Sequence, residues 1–133
     1  MLKLFLKFTL LITILSSVFS CAVSPGPMKL LDNTVRSYDR AIRWGEFARA
    51  KSFHKDAPTL TDLERRRLKL YRVTDYTVLQ NDAPDEYNAY LVVEIKYYKN
   101  DRPVIKSVVA KQHWKREKES KIWYLNSAFP KFR

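Results

Sequence analysis

The hydrophobic residues of this 133-residue chain change their spacing near Leu70, and that change constrains the fold more than any other feature. Before Leu70, apolar side chains recur three and four residues apart, which is typical of an amphipathic helix. After it, apolar and polar side chains alternate, which is typical of a strand with one buried face. The chain is therefore expected to have helices first and strands after them. This is the element order of an α+β fold in which the helices cover an antiparallel sheet.

Helical spacing extends over residues 31–54, and Asp32 or Asn33 is placed to cap its beginning. Gly45 interrupts the pattern where a helix C-terminus favours a positive φ angle, so we expect two consecutive helices. Residues 61–64, Thr-Asp-Leu-Glu, have the form of a capping box and predict a third helix.

Four stretches alternate with a period of two and are separated by polar turns, over residues 71–80, 87–99, 104–116 and 122–129. They predict a meander of four antiparallel strands. The N-terminal helices should pack on this curved sheet to give a cone-like α+β roll. Strict alternation in the first strand places Asp75 on the same face as Tyr71 and Val73.

The chain begins with a positively charged segment and an apolar run that ends at its only cysteine. Lys3 and Lys7 precede the uncharged run Phe8–Phe19. As a helix this run would be about 18 Å long, too short for a hydrocarbon core of about 30 Å. These are the features of a secretory signal. The residues Val-Phe-Ser-Cys at 18–21 resemble the lipobox of bacterial lipoproteins.

The lipobox resemblance implies that Cys21 carries fatty acyl chains, such as palmitate, and becomes the first residue of the mature protein. Ala22 after it, rather than Asp, resembles the sorting signal for the outer membrane. We therefore expect a signal peptide over 1–20, a lipidated cysteine and flexible tether over 21–30, and a single α+β domain over 31–133. The expected location is the bacterial cell envelope, at the outer membrane facing the periplasm, and no second thiol remains for a disulfide.

Basic residues exceed acidic ones, 25 to 14, for a net charge of +11. Removing residues 1–20 takes away Lys3 and Lys7 and no acidic residue, which leaves +9. Such an excess favours anionic partners. The expected compartment, and the absence of nucleic-acid-binding motifs in the sequence, argue against nucleic acid. An anionic membrane surface suits the charge, and a module that binds acidic glycans or lipid head groups is one alternative.

The stretch Tyr38–Phe47, with its helix, Gly-Glu and second helix, resembles the opening of nuclear transport factor 2-like domains. These are cystatin-like cones that include the SnoaL-like proteins. The ending Ile122–Ser127 is similar to the last strand of that family, and the resemblance covers about residues 32–130 in element order. It implies a pocket between helices and sheet, and dimers that form through the sheets.

The sequence has few residues suited to catalysis. Its two histidines, His54 and His113, lack metal-site spacing, and there is no glycine-rich phosphate loop or nucleophile elbow, so we expect no metal and no cofactor. The family resemblance implies an acid–base residue on the sheet face beneath the helices, and this makes Asp75 the single catalytic candidate. Candidates for the ligand pocket are Tyr38, Ile42, Tyr71, Asp75 and Tyr97. Alternatively, Asp75 lies near a strand edge or bulge and pairs with a basic side chain.

Aromatic residues are concentrated on the last three strands and must lie on both sheet faces, because neighbours such as Tyr97 and Tyr98 point in opposite directions. One set would line the core. The other would form a surface for an envelope protein or a second copy of the chain. The interface candidates are Tyr90, Val92, Tyr98, Trp114 and Trp123. Ordinary cross-strand packing exposed to water is the alternative.

Two interpretations of function remain open. In the first, the protein is a non-enzymatic, membrane-tethered domain that binds a protein partner, or a small apolar ligand, in envelope assembly or maintenance. In the second, it is a SnoaL-like enzyme or carrier of a hydrophobic ligand that uses Asp75. A cone filled by its own side chains favours the first, and a buried Asp75 facing an open cone favours the second.

Overall fold

The computed structural model describes residues 23–133. The predicted signal peptide over 1–20 and the predicted lipidation site Cys21 lie outside the described residues. In residues 23–133, three helices precede four strands, with the bounds α1 Pro27–Arg43, α2 Phe47–Lys51, α3 Asp62–Leu68, β1 Tyr71–Asp82, β2 Asn88–Lys99, β3 Arg102–Arg116 and β4 Trp123–Leu125. The helices pack against one open antiparallel sheet of order β1-β2-β3-β4, which confirms the predicted α+β class. None of the helices in residues 23–133 is long and apolar enough to cross a membrane.

Helix α1 begins at Pro27, several residues before the expected position. Proline suits the first helical turn because its φ is preset and its missing N–H needs no partner there. The N-cap is Gly26, with an extended backbone and no side-chain hydrogen bond, so neither Asp32 nor Asn33 caps the helix. Trp123 Nε1 donates to the Pro27 carbonyl oxygen at 3.1 Å, which fastens this first turn to β4. Residues 27–30, expected in the tether, are therefore helical.

Gly45 ends α1 as predicted, with φ of +72°. The N–H of Glu46 donates to Ala41 O at 2.8 Å, and the N–H of Gly45 donates to Ile42 O at 3.2 Å. This pair of bonds is the Schellman motif, which satisfies the last carbonyl groups of a helix. The chain can thus reverse directly into α2.

The capping box of α3 is also confirmed. The Thr61 hydroxyl accepts from the Glu64 N–H at 3.2 Å, and the Glu64 carboxylate accepts from the Thr61 N–H at 2.8 Å. Helix α3 has no buried residue, so its stability depends strongly on these local bonds.

The core lies between the helices and the inward row of β2, which consists of Ala89, Leu91, Val93, Ile95 and Tyr97. Helix α1 covers this row with Tyr38, Ala41 and Ile42. The rings of Tyr38 and Trp114 meet edge to face with centroids 5.6 Å apart. Burial of these large rings contributes to the apolar area that stabilises the domain.

Strand β1 departs from strict alternation at Thr74. Its register with β2 shifts there, so that Val73 lies opposite Tyr97 whereas Asp75 lies opposite Lys96. One extra residue in a strand exchanges the two faces of everything that follows. Tyr76 therefore takes the inward position and is buried. The prediction that Asp75 shares a face with Tyr71 and Val73 is wrong for this reason.

Strand β4 contains only Trp123–Leu125, where residues 122–129 were expected. Leu125 exchanges backbone hydrogen bonds with the segment after α2, since its N–H donates to Phe53 O and its carbonyl accepts from the Lys55 N–H. The chain then leaves the sheet and packs Phe129 and Phe132 against α2. Most of β3 consequently forms a sheet edge, because β4 pairs with it only at Trp114–Arg116.

Candidate functional site

The space between helices and sheet, where a ligand pocket was predicted, is filled by side chains. Tyr38 and Ile42 have no exposed surface and Tyr97 is 4% exposed, while Tyr71 is half-buried at the margin. The ring of Tyr38 contacts the rings of Phe53, Tyr76 and Trp114 edge to face. The predicted pocket residues are thus brought together, except for Asp75. Tyr38, Ile42 and Tyr97 form a core, whereas Tyr71 at the margin lines a groove of about 530 Å³ with α3 and residues 128–133.

Asp75 does not face this interior. The bulge places it opposite Lys96, and its Oδ2 accepts a hydrogen bond from Thr77 Oγ1 at 2.8 Å. It lies on β1, the edge strand of the sheet, and is partly exposed. The apolar enclosure that proton abstraction by this carboxylate would require is not there.

The interior contains a polar pair that the sequence did not single out. His54 Nδ1 lies 2.8 Å from the Ser127 carbonyl oxygen, and His54 Nε2 lies 3.3 Å from the Tyr38 hydroxyl. A carbonyl oxygen only accepts, so Nδ1 carries the proton and Nε2 accepts from Tyr38. Burial lowers the pKa of His54, and Lys51 lowers it further, against the raising effect of the Ser127 bond. Burial also raises the pKa of Tyr38, so both groups are neutral at pH 7.

Gln112 is a second buried polar group. Its Oε1 accepts from the Tyr76 hydroxyl and from Trp114 Nε1, both at 3.1 Å, while its Nε2 has no hydrogen-bond partner. The sequence signal for it is a polar residue in the otherwise apolar inward row of Val108, Ala110 and Trp114. The sequence signal for the burial of His54 is weaker. This residue is a single polar side chain directly after Phe53, at the end of the helical pattern. Both are internal structural contacts.

The opposite side of the sheet, which we call the outer face, carries Tyr90, Val92, Tyr98, Ile105 and Val109. Tyr90 is 47% exposed and stacks on His113, its cross-strand neighbour, with centroids 4.4 Å apart and planes 15° from parallel. His113 Nε2 donates to Asn88 Oδ1 at 3.0 Å, which fixes the imidazole in that stack. His113 is half-buried.

Trp114 and Trp123 were predicted on this surface but lie in the core. Trp114 has no exposed surface and sits opposite Ala89, whose small side chain leaves room for the indole. Trp123 is 3% exposed and bonds to the start of α1. Alternation separates the aromatic residues into two faces but does not say which face the helices will cover.

A groove of about 490 Å³ lies between α1 and β1. Three arginines line it along one side of α1, at Arg36, Arg40 and Arg43, and Trp44 stands at its end with 76% of its surface exposed. Within residues 23–133, Arg40 has no acidic side chain within ion-pair distance. The groove therefore presents guanidinium groups, and an aromatic ring, to solvent.

Asp39 lies among these arginines. Its Oδ1 is buried without a hydrogen-bond partner, and Arg43 Nε is 4.0 Å away. Burial raises the pKa of Asp39, Arg43 opposes that effect, and Asp75 adds to it. The cost of burying the Asp39 carboxylate is thus only partly offset by Arg43. The three arginines outnumber this one carboxylate, so the groove remains positively charged.

No cluster of three His, Cys, Asp or Glu side chains in the described part of the chain is placed to hold a metal ion. Comparisons with protein-family models, with curated proteins and with solved structures find no match for the chain.

Proposed function

We propose that this protein is a non-enzymatic, lipid-anchored binding module of the bacterial envelope whose outer face docks an envelope protein in envelope assembly or maintenance. The observation that supports it is the contrast between the two faces of the sheet. The inner side is packed with its own aromatic rings, whereas the outer face leaves Tyr90, Ile105 and Val109 about half exposed. An exposed row of aromatic and β-branched side chains among charged ones has the composition of a protein interface.

The lipobox-like residues 18–21 supply the anchor in this proposal. Each buried methylene of an acyl chain contributes about 0.8 kcal/mol, so several chains on Cys21 would hold the protein at its membrane. Helix α1 begins six residues after Cys21. Six residues span at most about 20 Å, so the domain would stay close to the periplasmic surface of the outer membrane. A partner would then be a protein of that same layer.

A protein partner fits better than a small apolar ligand. Small-molecule sites are concave and enclose most of the ligand, whereas the interior here is filled. The outer face mixes both charges with its apolar residues, since Asp75 lies opposite Lys96 and Glu94 lies opposite Val109. Charges of both signs at the margin of an apolar patch give a protein interface its specificity.

The test is a cross-linking pull-down of the acylated protein from its native envelope, beside three variants. Cys21→Ser removes the anchor, Tyr90→Ser removes the central ring of the outer face, and Leu63→Ser is the matched control. Leu63 lies on α3 and is 69% exposed. We expect one stoichiometric envelope protein that is lost with Cys21→Ser and Tyr90→Ser and kept with Leu63→Ser. A partner that is insensitive to Tyr90→Ser contradicts the proposal, and so does recovery of only a second copy of the chain or a small molecule.

The arginine groove supports a second candidate function, binding of an acidic glycan or a lipid head group. Guanidinium groups bind phosphate and carboxylate through two parallel hydrogen bonds, and the exposed ring of Trp44 offers a flat surface beside them. The test is co-sedimentation of the Cys21→Ser protein with vesicles of anionic phospholipid at rising salt. Arg40→Ala should weaken binding more than Arg66→Ala on α3, and equal effects would reduce the groove to nonspecific charge.

A further inference from the structure

Strand β3 has a long edge that no other part of the described chain covers. The strand spans Arg102–Arg116, but β4 pairs only with its last three residues. Beyond them, Asn126 N–H donates to His113 O at 2.8 Å, and Ser127 Oγ accepts from the His113 N–H at 3.4 Å. There the chain turns away, so residues 106–112 pair with β2 on one side alone.

The bonds at the end of β3 show which of its backbone groups point to this free edge. The Arg116 N–H donates to Tyr87 O on the β2 side, whereas the N–H and carbonyl of His113 bond on the other side. These directions alternate along an antiparallel strand, and the register with β2 is unbroken from Lys106 to Lys115. It follows that the N–H and the carbonyl of Ser107, Val109 and Lys111 point to the free edge.

The two edges of the sheet differ in how well they are protected. Strand β1, the opposite edge, carries two register shifts, at Val73/Asp75 and Val78/Gln80. Bulges of this kind blunt an edge strand against further pairing. The free part of β3 has no register shift over residues 106–115, and its β-branched residue Val109 is 55% exposed. It is the regular, extended template to which another strand adds.

The charge of β3 selects the class of strand. Five basic residues and no acidic one lie on it, at Arg102, Lys106, Lys111, Lys115 and Arg116. Pairing with a second β3 would bring these like charges together, which destabilises cross-strand contacts. Lys106 and Lys111 lie on opposite faces of the sheet. Lys106 Nζ also donates to the main-chain oxygen of Arg133 at 3.2 Å. We propose that the free edge of β3 binds an extended acidic segment of a partner protein, which adds to the sheet as a fifth strand.

This site differs from the docking surface on the outer face in its mode of recognition, although Val109 belongs to both. It recognises its ligand through backbone hydrogen bonds, whereas the outer face would act through the side chains of Tyr90 and its neighbours. Tyr90→Ser should therefore leave binding at the edge unchanged, and either site can be disproved without the other.

The test begins with selection of short random peptides on the acylated full chain in detergent. We expect the selected peptides to be acidic and rich in β-branched residues. Val109→Pro removes a free N–H but no bond to β2, and it should weaken binding of a selected peptide at least about tenfold. The matched variant Val109→Thr keeps the N–H and the branched shape, and it should change affinity less than about threefold. Equal effects of the two variants, or selection of basic peptides or of none, would overturn the proposal.

Hydrogen exchange measured by NMR on the unsubstituted chain keeps the test decisive if Val109→Pro fails to fold. The amides of Ser107, Val109 and Lys111 should exchange rapidly in the free chain and slowly once a selected peptide is bound. The alternate amides of Val108 and Ala110 should be slow in both states, because they bond to β2. A bound peptide that slows none of the first three contradicts the proposal. Protection of those three in the free chain that rises with protein concentration would assign the edge to a second copy instead.

Discussion

His54 is a buried histidine whose surroundings oppose its protonation. The Ser127 carbonyl oxygen accepts a hydrogen bond from Nδ1–H, and the Tyr38 hydroxyl donates to Nε2. Protonation of Nε2 would break the bond from Tyr38 and leave a charge in a largely aromatic environment. The histidine thus couples the stability of the folded state to pH.

The pKa of His54 in the folded chain is lowered by burial, so the unfolded chain binds more protons near and below pH 6.5. We predict that the free energy of unfolding, measured in urea, falls as the pH drops from 7.5 to 5. His54→Gln should be less stable at pH 7.5 but should lose much of this decline. The control is His113→Gln, because burial and Lys115 also lower the pKa of His113 but this side chain is only half-buried. A decline of the same size in His54→Gln would contradict this role.

Asp39 should be a destabilising residue at neutral pH. Burial raises the pKa of its carboxyl group, so the charged form is less favourable in the folded chain than in the unfolded one. Asp39→Asn keeps the shape and should raise the free energy of unfolding at pH 7, and the gain should disappear below about pH 4. The control is Asp32→Asn, whose exposed ion pair with Arg36 at 2.9 Å should matter little. A loss of stability in Asp39→Asn would show that the bond to Arg43 outweighs the burial.

Gln112 accepts two hydrogen bonds from buried donors, so its removal should cost more than removal of one donor. Gln112→Leu leaves the Tyr76 hydroxyl and Trp114 Nε1 unpaired and should cost about 2 to 4 kcal/mol. Tyr76→Phe removes one bond but leaves Gln112 bonded to Trp114, and about 1 kcal/mol is expected. Urea unfolding of both variants checks the order, and a larger loss for Tyr76→Phe would contradict the hydrogen-bond assignment.

At the scale of elements, Gly45 shows where one residue decides how two helices are joined. An added Cβ would meet only Phe47 Cε2 at 3.9 Å, so there is room for it, but its φ is +72°. Gly45→Ala should therefore cost about 1 kcal/mol from backbone strain alone. Gly26→Ala, at a φ of −64° and with open space around it, should have little effect on urea unfolding. Equal effects of the two substitutions would contradict the account of the α1–α2 junction.

The number, kind and order of the described elements could be predicted because hydrophobic spacing and helix caps depend on residues that are close together in the sequence. The Gly45 junction and the Thr61–Glu64 capping box are local features of that sort. The bulge at Thr74 was missed because the sequence alternates through it on both sides, and only the register with β2 reveals the extra residue. The short β4 was missed because the segment after α2 takes the backbone bonds of Leu125, and that is a long-range contact.

The candidate site was predicted less well for a related reason. Tyr90, Val92 and Tyr98 follow from alternation, whereas the buried positions of Trp114 and Trp123 depend on which face the helices cover. The free edge of β3 follows from where β4 ends, and no local pattern indicates that. Tertiary contacts, rather than propensities, decide these features.

At the scale of the whole molecule, the proposed N-terminal lipid anchor would hold a small domain that has a filled core and an exposed outer face. A tether of a few residues would limit the domain to the region next to the membrane, where it meets other envelope proteins. We propose that the outer face, rather than the interior between the helices and the sheet, is the surface on which this protein acts.

The most direct test is photo-cross-linking in the native envelope, with a photoreactive side chain introduced at Tyr90 in one variant and at Leu63 in another. The account predicts one discrete adduct with an envelope protein from position 90. It also predicts none from position 63, and loss of the adduct when Cys21 is changed to Ser. A discrete adduct from position 63 with none from position 90 would contradict the claim and place the functional surface on the helical side of the molecule.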